Sequence, residues 1–278
     1  MTEPAFISLL SIAGSDCSGG AGIQADIKTC CAFGVYAATA VTAVTTQTFS
    51  GVREITEISP TAVEQQLQAV FDSMTPRVIK TGMLPSAECV RIVSGFLESR
   101  AKGIPVVVDP VLAATAGKSL SGDTATTADA MAALLFPIAD FVTPNLHEVE
   151  YFLGKPYGEY SSQEDMAIDF CSRFGCRAVV LKGGHTGGDT ATDVLARRNS
   201  MGGYGIRRFP SQRLPGVDRH GTGCAFSTAL ACALALGLMS EEAVRTAKDY
   251  LYTALKESPA DGFRKDCGPL NFFIKNKI

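Results

Sequence analysis

The stretch Asp218-Arg-His-Gly-Thr-Gly-Cys224 sets polar side chains around two glycines and runs straight into a long apolar segment beginning at Ala225. That order reads as a loop entering a buried helix. The first N–H groups of a helix have no intrahelical partner, and the helix dipole adds partial positive charge at the same end. Gly221 and Gly223 let the backbone bend and let a ligand approach it closely. Such a site favours an anion, and a phosphoryl group in transfer is one that it would stabilise. Gly-x-Gly alone is a short motif and equally describes a tight loop feeding a core helix.

Other residues suited to phosphate chemistry recur along the chain. Asp109, Asn145, Glu148 and Lys182 each follow closely on a short apolar run. Carboxylates near a phosphate site suit Mg²⁺, which keeps most of its waters, and Lys182 suits phosphate neutralisation. Each also has a plain alternative on the surface or as a cap, Asn145 as a helix N-cap above all. His185 and His220 read as loop histidines, and no spacing suggests a triad or a metal cluster. Near the start, Phe6 to Ala13 reads as a strand, Gly14 to Gly22 as a glycine loop that breaks it, and Ile23 to Phe33 as a helix closed by Gly34. Gly20-Ala-Gly-Ile-Gln-Ala25 fits a dinucleotide fingerprint, but the second strand, Ala38 to Gln47, ends without the acid that binds a ribose. Asp26 falls early in the helix, either complementing its dipole or accepting a hydrogen bond from a small ligand.

Elements that would position these residues alternate through most of the chain. Strands are expected at Gly51 to Ile58, Arg77 to Thr81, Pro105 to Val108, Asp140 to Thr143 and Ala178 to Leu181. Helices are expected at Pro60 to Met74, Ser86 to Arg100, Thr126 to Leu135, Ser162 to Arg173 and Glu241 to Lys256, with a polar hairpin around Gly202-Gly203. This pattern predicts an α/β fold with a mainly parallel central sheet and helices on both faces. Ligands then bind beyond the carboxyl ends of the strands, which gathers Asp109, Asn145, Glu148 and Lys182 near the anion loop.

At 278 residues the chain suffices for one large domain spanning 1–278. A net charge of −3 gives no basic surplus for nucleic acid or an anionic membrane. Met-Thr-Glu-Pro lacks the basic region of a signal peptide, and Ala225 to Met239 is too short for a membrane span. A cytoplasmic protein is the expectation. The nine cysteines contain no Cys-x-x-Cys pair and match neither a zinc site nor a disulfide framework, so most read as small buried hydrophobes, with Cys224 at a helix start as the exception.

Seven segments carry a family resemblance, in family order and over nearly the whole chain. They are Ala13 to Asp26, Lys80-Thr-Gly-Met-Leu84, Val108-Asp-Pro-Val111, Thr143-Pro-Asn-Leu-His-Glu148, Lys182-Gly-Gly-His185, His220-Gly-Thr-Gly-Cys224 and Lys265-Asp-Cys-Gly-Pro269. The chain resembles the ribokinase-like superfamily, and within it the hydroxymethylpyrimidine/phosphomethylpyrimidine kinases of thiamine biosynthesis. The resemblance implies a three-layer ribokinase-like fold, transfer of phosphate from ATP to a pyrimidine hydroxymethyl group, and then a second transfer to the monophosphate. It implies Mg²⁺, leaves room for a monovalent cation, and implies a homodimer. By motif it assigns Gly14, Ala21, Asp26, Gln47, Met83 and Val111 to the substrate pocket. Asp109 and Glu148 would organise Mg²⁺ through water, while Asn145, Lys182 and His185 would lie on the nucleotide side. Gly221, Thr222, Gly223 and Cys224 would form the anion hole, with Lys265 on phosphate. Most of the superfamily carries Asp as general base where this chain and the thiamine branch carry Cys. Cys224 could act as a base with a lowered pKa, or supply only its N–H. Gln47 stands where some members have Glu, which keeps a pyridoxine or pyridoxal kinase as an alternative; a ligand-binding relative without turnover is another.

Overall fold

Apolar side chains on the central strands alternate between two cores, which is what a strand buried on both faces requires. Leu10, Ile12, Ile79, Val108, Val142 and Val179 point into one core; Leu9, Val78, Val107, Phe141, Ala178 and Val180 point into the other. A computed structural model of the protein describes residues 6–49, 51–112, 123–185, 188–214, 219–259 and 268–274.

Nine strands form the main sheet in the order β3-β2-β1-β4-β5-β6-β7-β8-β9. Six neighbours run parallel: β2 (Tyr36–Thr48), β1 (Ser8–Asp16), β4 (Val78–Thr81), β5 (Val106–Val108), β6 (Phe141–Val142) and β7 (Ala178–Leu181). Antiparallel β3 (Gly51–Glu57) flanks one end, and the hairpin of β8 (Thr190–Arg198) and β9 (Tyr204–Gln212) flanks the other. Helices α1 (Gly22–Phe33), α7 (Thr222–Ala235) and α8 (Ser240–Lys256) cover one face. Helices α2 (Pro60–Ser73), α3 (Ala87–Arg100), α4 (Thr124–Ala130), α5 (Leu146–Leu153) and α6 (Gln163–Phe174) cover the other. The result is the three-layer α/β arrangement expected from the alternation of strands and helices.

Helix ends follow local chemistry. Ser59, Ser86, Asp123 and Ser162 cap α2, α3, α4 and α6 through side-chain oxygens that accept backbone N–H groups. Asn145 and Glu148 form a capping box on α5. Gly34, in the left-handed region at φ 69°, ends α1. Helix α7 is apolar nearly all round and buried to match.

Two expectations change. The first strand does not stop at Ala13: pairing with β2 shifts register between Ala13 and Ser15 and then continues to Asp16. A bulge at Gly14 bends the strand where the sequence suggested a break. The helix expected to end at Leu135 relaxes into a wider turn over Met131–Leu135 before Pro137 ends it.

Phe136 centres an aromatic cluster, with ring centroids 4.9 Å from Phe152, 5.4 Å from Phe170 and 5.6 Å from Phe174. Phe136→Ala should lower unfolding free energy by about 3–5 kcal/mol, read from urea denaturation.

Candidate active site

At the carboxyl edge of the parallel strands, the two glycine-rich loops of the sequence press against each other. Gly221 caps α7 at φ 88°, and a Cβ there would lie 1.8 Å from the Gly20 carbonyl oxygen. Only glycine permits both that conformation and that approach. Gly22 is equally constrained at φ 56°, where a Cβ would fall 2.3 Å from the Gly14 carbonyl oxygen. Asp16 organises the first loop. Its carboxylate accepts Ser18 N–H at 2.7 Å, Ser18 Oγ at 2.9 Å, Gly20 N–H at 3.1 Å and Ala21 N–H at 2.8 Å. It also meets His220 Nε2 at 2.9 Å, which fastens the first loop to the second. Burial alone would raise the Asp16 pKa, but the hydrogen bonds from His220, Ser18 and Ala21 outweigh it and hold the carboxyl well below its usual range.

Beyond the Gly221 turn, the open side of Gly223 faces a charged group. A Cβ at Gly223 would stand 3.4 Å from Lys182 Nζ and 3.5 Å from Asp109 Oδ2. Lys182 Nζ lies 3.3 Å from Asp109 Oδ1, and Ser227 Oγ donates to Asp109 Oδ2 at 3.2 Å. Asp109 follows β5 and Lys182 follows β7. Their meeting is the crossing of strand ends that the parallel sheet enforces. Burial works against the Lys182 charge, and Asp109 and then Glu148 more than restore it, so its pKa is raised. Glu148 keeps part of its surface at the mouth of the site, yet burial is its largest influence and, with Asp109, pushes it up to about 7 against the pull of Lys182. Asn145 sits beside Lys182, whose N–H donates to the Pro144 carbonyl at 3.0 Å.

Cys224 lies within this first turn. Burial is the largest influence on its thiol and, despite the nearby Lys80 charge, pushes it up to about 11. The lowered pKa that its place at a helix start suggested is reversed, because the half-buried thiol packs against the α1–α7–α8 core. A thiol protonated at neutral pH is a poor base, whereas its N–H remains available to an anion.

The expected pocket residues divide. Met83 and Val111 pack with Ala43, Val52 and Ile55 in a small apolar cluster, and a Cβ at Gly14 would touch Met83 Sδ at 3.1 Å. Ala21 caps α1, while half-buried Gln47 reaches His220 Nε2 with its Nε2 at 3.1 Å. Asp26 does not join them. It lies beyond the first turn of α1 and is fully buried, and its oxygens take Lys80 Nζ at 2.9 and 3.0 Å, Ser11 Oγ at 2.5 Å and Thr228 Oγ1 at 2.7 Å. Neither expectation for Asp26, dipole partner or ligand contact, survives, because the inward face of α1 turns it onto β4. Lys265 and the segment 113–122 lie outside the described residues. Of His185 the backbone is described, closing a turn at Gly183–His185.

Several contributors escaped sequence reading. His220 is the clamp between the loops, not an ordinary loop residue. Asp193 accepts Gly183 N–H at 2.8 Å and pairs with Lys248 Nζ at 2.9 Å, bracing the turn after Lys182. Lys80 carried the one usable signal, a charge inside the apolar run Val78 to Thr81.

Among the described residues no three His, Cys, Asp or Glu side chains converge into a metal cage. Two carboxylates beside an anion-favouring helix start suit instead an ion held jointly with bound phosphates, which is the habit of Mg²⁺. Such an edge, on such a sheet, defines a small-molecule kinase of ribokinase-like fold. The comparisons give the family. A family model described as phosphomethylpyrimidine kinase matches residues 16–271. A hydroxymethylpyrimidine/phosphomethylpyrimidine kinase of Rhizobium meliloti is 39% identical, over 95% of this chain and 96% of that protein. Among solved structures, the pyridoxal kinase of Staphylococcus aureus in complex with AMP-PCP and pyridoxal has a TM-score of 0.84 at 30% identity, covering 99% of this chain and 96% of that one. The phosphomethylpyrimidine kinase of Clostridium difficile has a TM-score of 0.76 at 32% identity, covering 90% and 99%. The chain belongs to the phosphomethylpyrimidine kinase family.

Gly223→Ala should leave the urea midpoint unchanged, since its Cβ meets ordinary contacts, yet cut turnover with ATP by about 10²-fold by filling the space beside the anion N–H groups; ADP release and denaturation measure the two. The Asp16 carboxyl is depressed from 3.8, so its stabilisation is complete above that pH and is lost as pH falls below it. The stability difference between wild type and Asp16→Asn should therefore shrink as urea titrations move from neutral pH to about pH 3.

Proposed function

We propose that the protein transfers phosphate from ATP to 4-amino-5-hydroxymethyl-2-methylpyrimidine and then to its monophosphate, as a step of thiamine biosynthesis. The observation that carries this reading is the Lys182–Asp109 pair, 3.3 Å apart, beside the open face of Gly223 at the head of α7. Lys182 and Asn145 would hold the nucleotide phosphates with His185 on the same side, and Asp109 and Glu148 would hold Mg²⁺ through water. The ion, when bound, would neutralise charge on the transferring phosphoryl group. The N–H groups of Gly221, Thr222, Gly223 and Cys224 would face its oxygens, and Lys265 would contact phosphate.

Gly14, Ala21, Gln47, Met83 and Val111 would receive the ring, with Met83 and Val111 as its apolar floor and Gln47 reading its polar edge. In the first transfer the hydroxymethyl oxygen forms a bond to the γ-phosphorus as the bond to ADP breaks and the hydroxyl proton passes to solvent; in the second, a phosphate oxygen of the monophosphate takes the same place. A loose transition state asks for positioning and charge stabilisation more than for a strong base, which suits a protonated Cys224. The whole chain would act as one kinase domain, in the cytoplasm, as a homodimer. Exposed Tyr36 and Val44 on β2, with Phe6 against Tyr36, support an apolar contact there. No helix among the described residues is long and apolar enough to cross a membrane.

ADP release with Mg²⁺–ATP should be fast with the pyrimidine and with its monophosphate, and slow with pyridoxine, pyridoxal and ribose. Preference for the B6 vitamers would overturn the substrate assignment, and ATP binding with no turnover of any acceptor would make the protein a ligand-binding relative. Cys224→Ala should retain kcat within about tenfold, because alanine keeps the N–H; loss of turnover with intact ATP binding would restore the thiol as base.

A further inference from the structure

Asp26 and Lys80 form an ion pair sealed from solvent, both side chains being 0% exposed. Burying two charges is costly, and such a pair is weak grounds for a stability gain. Its connections indicate its use. The Asp26 carboxylate joins four elements: its own α1, β4 through Lys80, β1 through Ser11, and α7 through Thr228. The Lys80 ammonium lies so close to Gly82 that a Cβ there would stand 3.0 Å from its Nζ, so glycine at this position leaves room for the pair.

Thr228 stands four residues after Cys224, on the same face of α7. Its 2.7 Å bond to Asp26 Oδ1 therefore fixes the rotation of the helix about its axis. One residue earlier, Ser227 ties the adjacent face to Asp109 at 3.2 Å. Rotation of α7 decides where the unpaired N–H groups of its first turn point. We propose that Asp26, locked by Lys80, is a positioning residue that sets the rotation of α7 through Thr228 and so aims the anion-binding N–H groups at the transferring phosphoryl group. With every carboxylate oxygen engaged inside the protein, Asp26 acts on the reaction without touching the substrate.

This inference rests on the kinase reading. Thr228→Val keeps the shape and removes the hydroxyl, and it should lower kcat by about 10²-fold while leaving the KM values for ATP and acceptor and the melting temperature nearly unchanged. Thr228→Ser should restore most of the rate. Unchanged kcat in Thr228→Val overturns the proposal, as does a Thr228→Ser enzyme as slow as the valine variant, which would make the effect one of packing. Asp26→Asn should show the same loss of kcat at unchanged KM values, together with a lower melting temperature because it strands the buried Lys80 charge; a rise confined to the acceptor KM would return Asp26 to the substrate pocket. If wild type phosphorylates none of the acceptors, the kinase reading fails by itself. Calorimetry with ADP alone and ADP plus aluminium fluoride then still reads the anion site. The gain in affinity from the fluoride should be smaller in Thr228→Val than in wild type, and equal gains overturn the positioning role.

Discussion

Contact between the Gly20 carbonyl and the Gly221 backbone is the constraint on which the site depends. It lets the loop after β1 and the loop before α7, some two hundred residues apart in the chain, share one surface. A side chain at Gly221 would separate them, and the Asp16–His220 bond holds them closed. The first loop borders the apolar cluster of Met83 and Val111, while the second carries the free N–H groups. Their contact therefore joins a small apolar cluster to a helix start that favours an anion.

Charge placement divides the site into layers of different character. At the mouth, Asp109, Glu148 and Lys182 hold one another in a partly open group whose balance bound phosphate and cation would alter. Behind it, the Asp26–Lys80 pair is closed on all sides. Burial disfavours the Lys80 charge, and the Asp26 carboxylate more than compensates, so the ammonium stays charged. Beside these groups the Cys224 thiol is kept neutral, which leaves the helix start with its positive end intact for an incoming anion.

Packing carries these positions across the molecule. The small side chains of α7 let it sit close on α1 and α8, with Cys232 Sγ 3.6 Å from Cys30 Sγ at the α1 contact. Beyond Lys182, the buried Asp193–Lys248 pair links β8 to α8 and holds the Gly183 turn. Each strand end that presents a polar group thus has a helix or an ion pair behind it.

Alternation of short apolar runs with amphipathic segments determined the parallel sheet and its two helical layers, since strand and helix periods are local properties of the chain. Glycine spacing and the positions of Asp109, Asn145, Glu148 and Lys182 just past strand ends were also sufficient to gather these groups beside the start of α7 at one edge. Side-chain destinations were decided by the tertiary structure. Asp26 looked like a ligand contact beside a glycine loop, but its partners lie 54 and 202 positions away, and only folding brings Lys80 and Thr228 to it. His220 looked ordinary until Asp16, 204 positions distant, met it. Cys224 was expected to be acidic from its place on a helix, and its surroundings reversed the sign. A helix start is a local feature legible in residue order, whereas burial and charge pairing sum over neighbours that residue order does not identify.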